Sequence, residues 1–446
     1  MAEKRIVFLL LLLALAVQLA FVVALADAPL NADEAEYVTA ARRLAGGMGL
    51  TAPDGQLYVH HHPPGYVAFT AAIFYAGGGV LAVRLAQAVL AVLTLGLVYA
   101  TARAEFGARA ATAALLAGAL YLPAAYYSTK VLTEAPFTFA LVLGIYLLAR
   151  GTRGAPRYRW LAFAGITFGA AALVRSVAFP VALALALFLA LGRDGSRRAR
   201  LAAGATFACG LLVVLALWSG YVFSRTGRVV ATDTNASAVL YIGNNPRAPY
   251  HHTWKALEDP ASCAPLLEVA AAGEDGFRVA ARYRREALGY IAAHPAQTAL
   301  RSIGRLLDML EPERLFAATY AAGRIPALPA GVAWPMVALE LAADAAALAL
   351  CGLGLVLMPA SRLRGILAVS FAVIFVAHGA TLAYPRYHVP LVAAALAAVG
   401  YALTAGLPAL RERRLSRRQW AALAVVAATL LASWTRMVLL YVFRGQ

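Results

Sequence analysis

Three carboxylates, Asp33, Glu34 and Glu36, fall within four positions of the stretch NADEAEYVTAARRLAGG, just past the apolar run near the start of the chain. Further along, Lys130 and Glu134 in STKVLTEAPF, Arg175 in ALVRSVAF, and Tyr384, Arg386, Tyr387 and His388 in YPRYHVP lie at the borders of other apolar runs. A carboxylate can take the proton of a hydroxyl as a general base. A guanidinium or ammonium group can neutralise a departing phosphate. Each residue also has a plainer role. Asp33 stands three residues before Glu36, the spacing of a helix capping box. Lys130 and Glu134 are i, i+4 neighbours able to pair. Arg175 can snorkel to headgroups, and His60, His61 and His62 can form a solvated turn or, with a carboxylate, a metal site.

The elements that must position these groups follow from composition. Of 446 residues, 62% are hydrophobic and 14% charged, with a mean hydropathy of +0.71, more than a soluble domain hides from water. The expected fold is an all-α polytopic membrane protein. The net charge of +17 does not indicate nucleic acid, because the basic residues sit in short clusters between apolar runs rather than in one stripe. Cys209, Cys263 and Cys351 are scattered and suit neither a disulfide framework nor a CxxC site.

At ~20 residues per span, the apolar runs give about eleven transmembrane helices: 6–26, 80–102, 108–126, 131–150, 159–175, 177–192, 200–223, 332–358, 365–383, 387–408 and 419–442. The first run resembles a signal peptide but reads as an uncleaved helix. The fifth and sixth are separated only by Arg175 and Ser176, and joining them would invert everything downstream. Kept separate, they place MAEKR, RAEFGAR, RGTRGAPRYR, GRDGSRRAR, SRLRG and RERRLSRR on one side, as the positive-inside rule requires. The chain then reads as one polytopic domain, 1–446, with outer loops at 27–79 and 224–331. The first loop holds an amphipathic juxtamembrane helix ended by Gly46-Gly47, then HHHPPGY, where the prolines force an irregular entry into the next apolar segment. Asp33, Glu34, Lys130, Glu134, Arg175, Asn244, Asn245 and Arg386 all face one compartment. A carboxylate beside several cations at one membrane face is what transfer from a lipid phosphate carrier requires.

DEAEY, HHPPGY, LTEAPF, GAAALVRSVAFP and YPRYHVPL, in this order over roughly residues 1–400, resemble the membrane-embedded glycosyltransferases of the protein mannosyltransferase and aminoarabinose transferase type (glycosyltransferase family 39-like), which have the GT-C fold. The resemblance implies a polyprenyl-phosphate-linked sugar as donor and a catalytic acid in the first outer loop. By it, Asp33 is the candidate base and Glu34 orients substrate or binds a metal. Glu134 contacts sugar or acceptor, and Arg386 holds the donor phosphate with Arg175 or Lys130 assisting. Tyr37, Tyr387 and His388 complete the substrate-binding set. Ser176 departs from the family pattern, which often has proline after the arginine. The resemblance fixes no cofactor; a divalent metal would be held by Glu34 with His60, His61 or His62, or with His251 or His252. The acceptor is a lipid, glycan or protein, membrane lipids surround the chain, and the expected location is a bacterial inner membrane with the site facing the periplasm. The alternatives are a transporter or flippase of a lipid-linked or anionic solute, whose charges should reach both faces, and an O-antigen ligase type enzyme, which needs no acidic pair after the first helix.

Overall fold

The computed structural model describes residues 2–52, 55–192, 195–252, 275–325, 328–412 and 414–444. Among them the chain is helical throughout apart from turns and one isolated bridge between Thr51 and Leu57. The first span is α1 (Ala2–Ala24), followed by the surface helix α2 (Ala32–Ala45) and the short apolar α3 (Pro64–Tyr75), whose Pro64 occupies the first turn, where a missing N–H costs nothing. Then come α4 (Val80–Phe106), α5 (Ala108–Ala119), α6 (Leu122–Thr129), α7 (Glu134–Gly151), α8 (Tyr158–Val174), α9 (Ala178–Leu191) and α10 (Arg197–Thr226). The second loop folds as α11 (Asn235–Gly243), α12 (Gly276–Ala293), α13 (Pro295–Met309) and α14 (Leu315–Ala321). The last spans are α15 (Ala330–Leu357), α16 (Arg362–Ala380), α17 (Val389–Tyr401, prolonged through a π turn to Arg411) and α18 (Arg417–Arg444).

Ten of the eleven apolar runs coincide with one helix each, and 108–126 with the pair α5 and α6. Among the described residues eight helices are long and apolar enough to cross a membrane, and α5 with α6, bent by 51° at their junction, meets the same criterion as a pair. The remaining two, α8 and α9, have 17 and 14 residues, short of the ~20 that a full span takes. Their directions decide the question left by Arg175 and Ser176. Gly165 and Gly169 of α8 lie against Phe207, Leu211 and Val214 of α10 in the same order along both helices, so α8 runs parallel to α10. The end of α9 turns directly into α10, and Gly204 lies against Ala186 and Ala190. Thus α9 runs antiparallel to both, and 175–177 is a reversal rather than a bend. Glycine is needed at 165 and 204 because any Cβ there would collide with a neighbouring backbone carbonyl, the close approach typical of membrane helix pairs.

Polar contacts sort the bundle into two ends. At one, Arg103 pairs with Glu3 at 2.6 Å, Arg153 with Glu105 at 2.9 Å, and Gly192 lies against Arg362. At the other, Arg84 donates to the carbonyls of Leu25 and Ala26 at 2.9 and 2.8 Å, tying the start of α4 to the end of α1. The arginine-rich segments and the acidic first loop therefore occupy opposite ends. Large apolar side chains such as Phe8, Leu9, Leu187, Leu217 and Val376 point outward, as a lipid-facing surface requires. The second loop covers the acidic end. Tyr241 stacks on Tyr283 with centroids 5.4 Å apart, and Arg305 donates to the carbonyls of Gly243 and Gly379 at 2.6 and 2.7 Å. Asn244 and Asn245, counted among the polar residues facing one compartment, are buried and bind backbone carbonyls, so they brace this loop.

Candidate active site

The first turn of α2 is set by Asn31, not Asp33. The Asn31 side chain accepts from the N–H of Glu34 at 2.9 Å, and Glu34 accepts from the N–H of Asn31 at 3.0 Å, a reciprocal capping box. This corrects the Asp33–Glu36 capping expectation, since the helix begins two residues earlier. Glu34 is fully buried and accepts from the Val131 N–H at 2.9 Å, with Lys130 Nζ at 3.6 Å. Lys130 is thus drawn to Glu34 rather than to its i+4 neighbour Glu134. The Lys130 and Ser128 carbonyls accept from Gln87 at 2.6 and 2.8 Å, and Tyr66 donates to Gln87 at 2.8 Å. Glu34 and Lys130 form a buried clasp between the first loop and the entry to α7.

Asp33, freed from capping, keeps a side chain 48% exposed and meets Arg386 Nη2 through Oδ2 at 3.2 Å. Arg386 also approaches Glu134 at 3.6 Å, and Arg175 reaches the same Glu134 oxygen at 3.5 Å. Glu134 is 2% exposed and sits in the first turn of α7, where the helix dipole favours an anion. The guanidiniums lie over aromatic faces: Arg175 over Tyr387 at 4.8 Å and Phe137 at 5.6 Å, Arg386 over Tyr384 at 4.7 Å. Two carboxylates and two guanidiniums from four separate segments converge, and the most exposed of them is Asp33. Such a set can activate a hydroxyl and hold a phosphate oxygen. Ser176, the departure from the family pattern, donates to Asp233 and thereby ties the α8–α9 reversal to the second loop.

Residues 61–222 match the family model Dolichyl-phosphate-mannose-protein mannosyltransferase. ArnT from Cupriavidus metallidurans bound to undecaprenyl phosphate superposes with a TM-score of 0.51 at 18% identity, covering 96% of this chain and 63% of that one. The chain has a GT-C fold. It spans less than two thirds of the length of that ArnT. The apo ArnT from the same organism gives 0.43 at 19% identity over 92% and 79% of the two chains. The archaeal oligosaccharyltransferase AglB from Archaeoglobus fulgidus, in complex with an inhibitory peptide and a dolichol-phosphate, gives 0.47 at 15% over 97% and 55%. No curated protein matches.

Among the described residues Glu34, His60, His61 and His62 do not come together as a metal site. Glu34 is engaged by two backbone N–H groups and Lys130, while His60 bonds Thr234 at 2.9 Å. His61 and His62 approach Glu36 at 3.0 and 3.8 Å, and Tyr58 donates to it at 3.2 Å. Tyr37 is buried against Tyr66 and His62, ring centroids 4.8 and 4.9 Å away, and so packs the wall. Another set lies in the second loop: His252, Asp308 and Glu311 offer ligand atoms within 4.8 Å of one another. Arg436 reaches both carboxylates, however, and Arg314 reaches Glu311 at 2.9 Å. Burial pushes Asp308 up to about 6 against the pull of Arg436. Glu311 lies below the usual range, burial being outweighed by His252 and Arg314. Two arginines already balance two carboxylates, and a metal ion would have to displace them.

Glu36 yields a pH prediction. Burial opposes its ionisation, yet hydrogen bonds with His61 and His62 outweigh that and hold its carboxyl well below the ordinary 4.5. A depressed acid stabilises the fold above its unfolded value and loses that contribution as the pH falls. The melting-temperature difference between wild type and Glu36→Gln is therefore expected to shrink as the pH falls below 4.5. Thermal unfolding in detergent across this range checks it, and a difference that grows on acidification would contradict the pairing.

His388 does not join the Asp33 cluster. Its Nε2 meets both oxygens of Asp344 at 2.9 and 3.0 Å, and its Nδ1 meets the Met309 carbonyl at 2.8 Å. This replaces the substrate-binding expectation for His388. Asp344, with Glu340 one turn earlier on α15, was not singled out by the sequence reading. The available signal was two acids at i, i+4 within an apolar run, since intramembrane charges seldom lack a purpose.

Proposed function

We propose that this chain is an integral-membrane glycosyltransferase that moves a sugar from a polyprenyl-phosphate carrier to an acceptor hydroxyl of a lipid, glycan or protein. The observation that carries the proposal is the half-exposed Asp33 carboxylate held 3.2 Å from Arg386, which with Arg175 surrounds Glu134 at one end of the bundle. The undecaprenyl phosphate bound by the ArnT of the same fold supports the donor class. Asp33 takes the acceptor hydroxyl proton as the acceptor oxygen bonds to the anomeric carbon. The bond from that carbon to the phosphate oxygen breaks, and the electron pair leaves with polyprenyl phosphate against Arg386 and Arg175. The leaving group is already anionic and needs no general acid, so one carboxylate suffices, unlike the pair used by most glycoside hydrolases. A single displacement inverts the anomeric configuration. The positive-inside rule puts the arginine-rich end in the cytoplasm, and the site then faces the periplasm of a bacterial inner membrane.

The test is transfer of radiolabelled sugar from a panel of polyprenyl-monophosphate sugars in proteoliposomes, combined with topology in cells. In a cysteine-free background, Met48→Cys is expected to react with a membrane-impermeant maleimide in intact cells, and Arg414→Cys only after lysis. Labelling in the reverse order would invert the orientation. Failure of every donor to give labelled product would overturn the enzymatic reading.

A further inference from the structure

The element that carries Arg386 is a turn, and the turn is held from behind. Residues 385–388 form one 3₁₀ turn leading into α17, and residues two apart on such a turn point to different sides. Arg386 faces Asp33 and Glu134, while His388, 1% exposed, faces the bundle interior. There Asp344 accepts from the Tyr121 hydroxyl at 2.8 Å and from the Glu313 N–H at 2.7 Å, besides meeting His388 Nε2. The chemistry of the imidazole fixes its protons. Nδ1 faces a carbonyl, which only accepts, so Nδ1 carries a hydrogen; Nε2 faces a carboxylate, so a second proton lies between Nε2 and Asp344. Asp344 thereby joins four segments: the α5–α6 junction through Tyr121, the link before α14 through Glu313, α15 itself, and the turn that bears Arg386.

We infer that Asp344 and His388 are positioning residues that fix the Arg386 guanidinium between Asp33 and Glu134. This rests on the glycosyl-transfer reading above. Buried hydrogen-bonded pairs of this kind orient the group they hold in much the same way that outer partners orient metal-ligating histidines. A turn released by loss of the brace can shift and carry Arg386 away from Asp33 and Glu134, and a displacement of about 1 Å at a reacting group can cost roughly 100-fold.

The experiment compares transfer kinetics of His388→Ala, His388→Gln, Tyr121→Phe and Asp344→Asn, each alone and combined with Arg386→Lys. His388→Ala is expected to lower kcat/KM by at least about tenfold, in the range that loss of orientation produces. His388→Gln, which keeps an N–H donor toward Asp344, should restore most of that loss. In the Arg386→Lys background, whose guanidinium is already gone, His388→Ala should cost less than about twofold more, because effects passing through a shared group are not additive. Multiplying losses, or full activity in His388→Ala, would overturn the brace. Tyr121→Phe removes one hydroxyl and keeps the shape, so a smaller loss that likewise vanishes beside Arg386→Lys decides the matter should Asp344→Asn fail to fold. If no donor gives product with wild type, the glycosyl-transfer reading fails; if Arg386→Lys alone retains full transfer, the role given to the Arg386 guanidinium fails and the brace with it. If Arg386→Lys is impaired while His388→Ala is not, only the brace fails.

Discussion

Asp33→Asn is expected to lower the transfer rate by about 10²- to 10⁴-fold, the range supplied by a positioned general base, with donor binding retained. The geometry supports a selective loss. Asp33 caps nothing, since Asn31 and Glu34 complete the helix start between them, and its side chain is half exposed. Asparagine preserves its volume, so α2 should keep its place. Removing the negative charge frees Arg386 from one of its two carboxylates, and the donor phosphate should then bind as tightly or more so. The measurement is kcat and KM for the polyprenyl-phosphate sugar with wild type and variant in the same proteoliposomes. Unchanged kcat would remove Asp33 from the chemistry.

Arg386→Lys is the second large effect expected, about 100-fold or more in kcat/KM, comparable with losing a donor to a developing charge. The substitution keeps the charge but removes the planar fork that spans Asp33 on one side and Glu134 on the other. It also removes the face that lies over the Tyr384 ring at 4.7 Å. Arg386→Ala should be worse for the fold as well. Glu134, already deeply buried, would keep only Arg175 at 3.5 Å, and breaking a buried ion pair costs about 3–5 kcal/mol. Thermal unfolding of the two variants separates the effects: lysine should melt near wild type and alanine several degrees lower. A lysine variant with normal kcat/KM would show that the guanidinium does not hold the departing phosphate.

The helices were legible because a bilayer admits few alternatives. An apolar run of adequate length has to become a helix that satisfies its own backbone, and the arginine clusters sort the ends. The reversal at 175–177 was legible for the same reason, through charge rather than propensity. Asp33, Glu134, Arg175 and Arg386 could be placed on one face because each borders a run. What failed was direction within a turn. Asn31/Glu34 and Asp33/Glu36 share one capping spacing, and only the true start of the helix distinguishes them. Lys130 has two carboxylates in reach, and the tertiary approach of the first loop makes the choice. His388 looks like part of the Arg386 motif in one dimension, but the 3₁₀ turn at 385–388 sends it inward. Asp344 was hidden inside a run that, by composition, was simply a span.

Asp33 and Arg386 are 353 residues apart in sequence, and this separation bears on how the protein is made. Chains emerge from the ribosome and fold from the N-terminus first. While residues up to about 380 are being inserted, Asp33 and Glu134 already occupy the same membrane face with no Arg386 between them. The nascent bundle therefore carries an incomplete mouth, in which Arg175 alone faces Glu134 and Asp33 lacks its guanidinium partner. The turn at 385–388 closes that mouth late in translation, so the catalytic groups come together only after most of the surrounding helices have been synthesised.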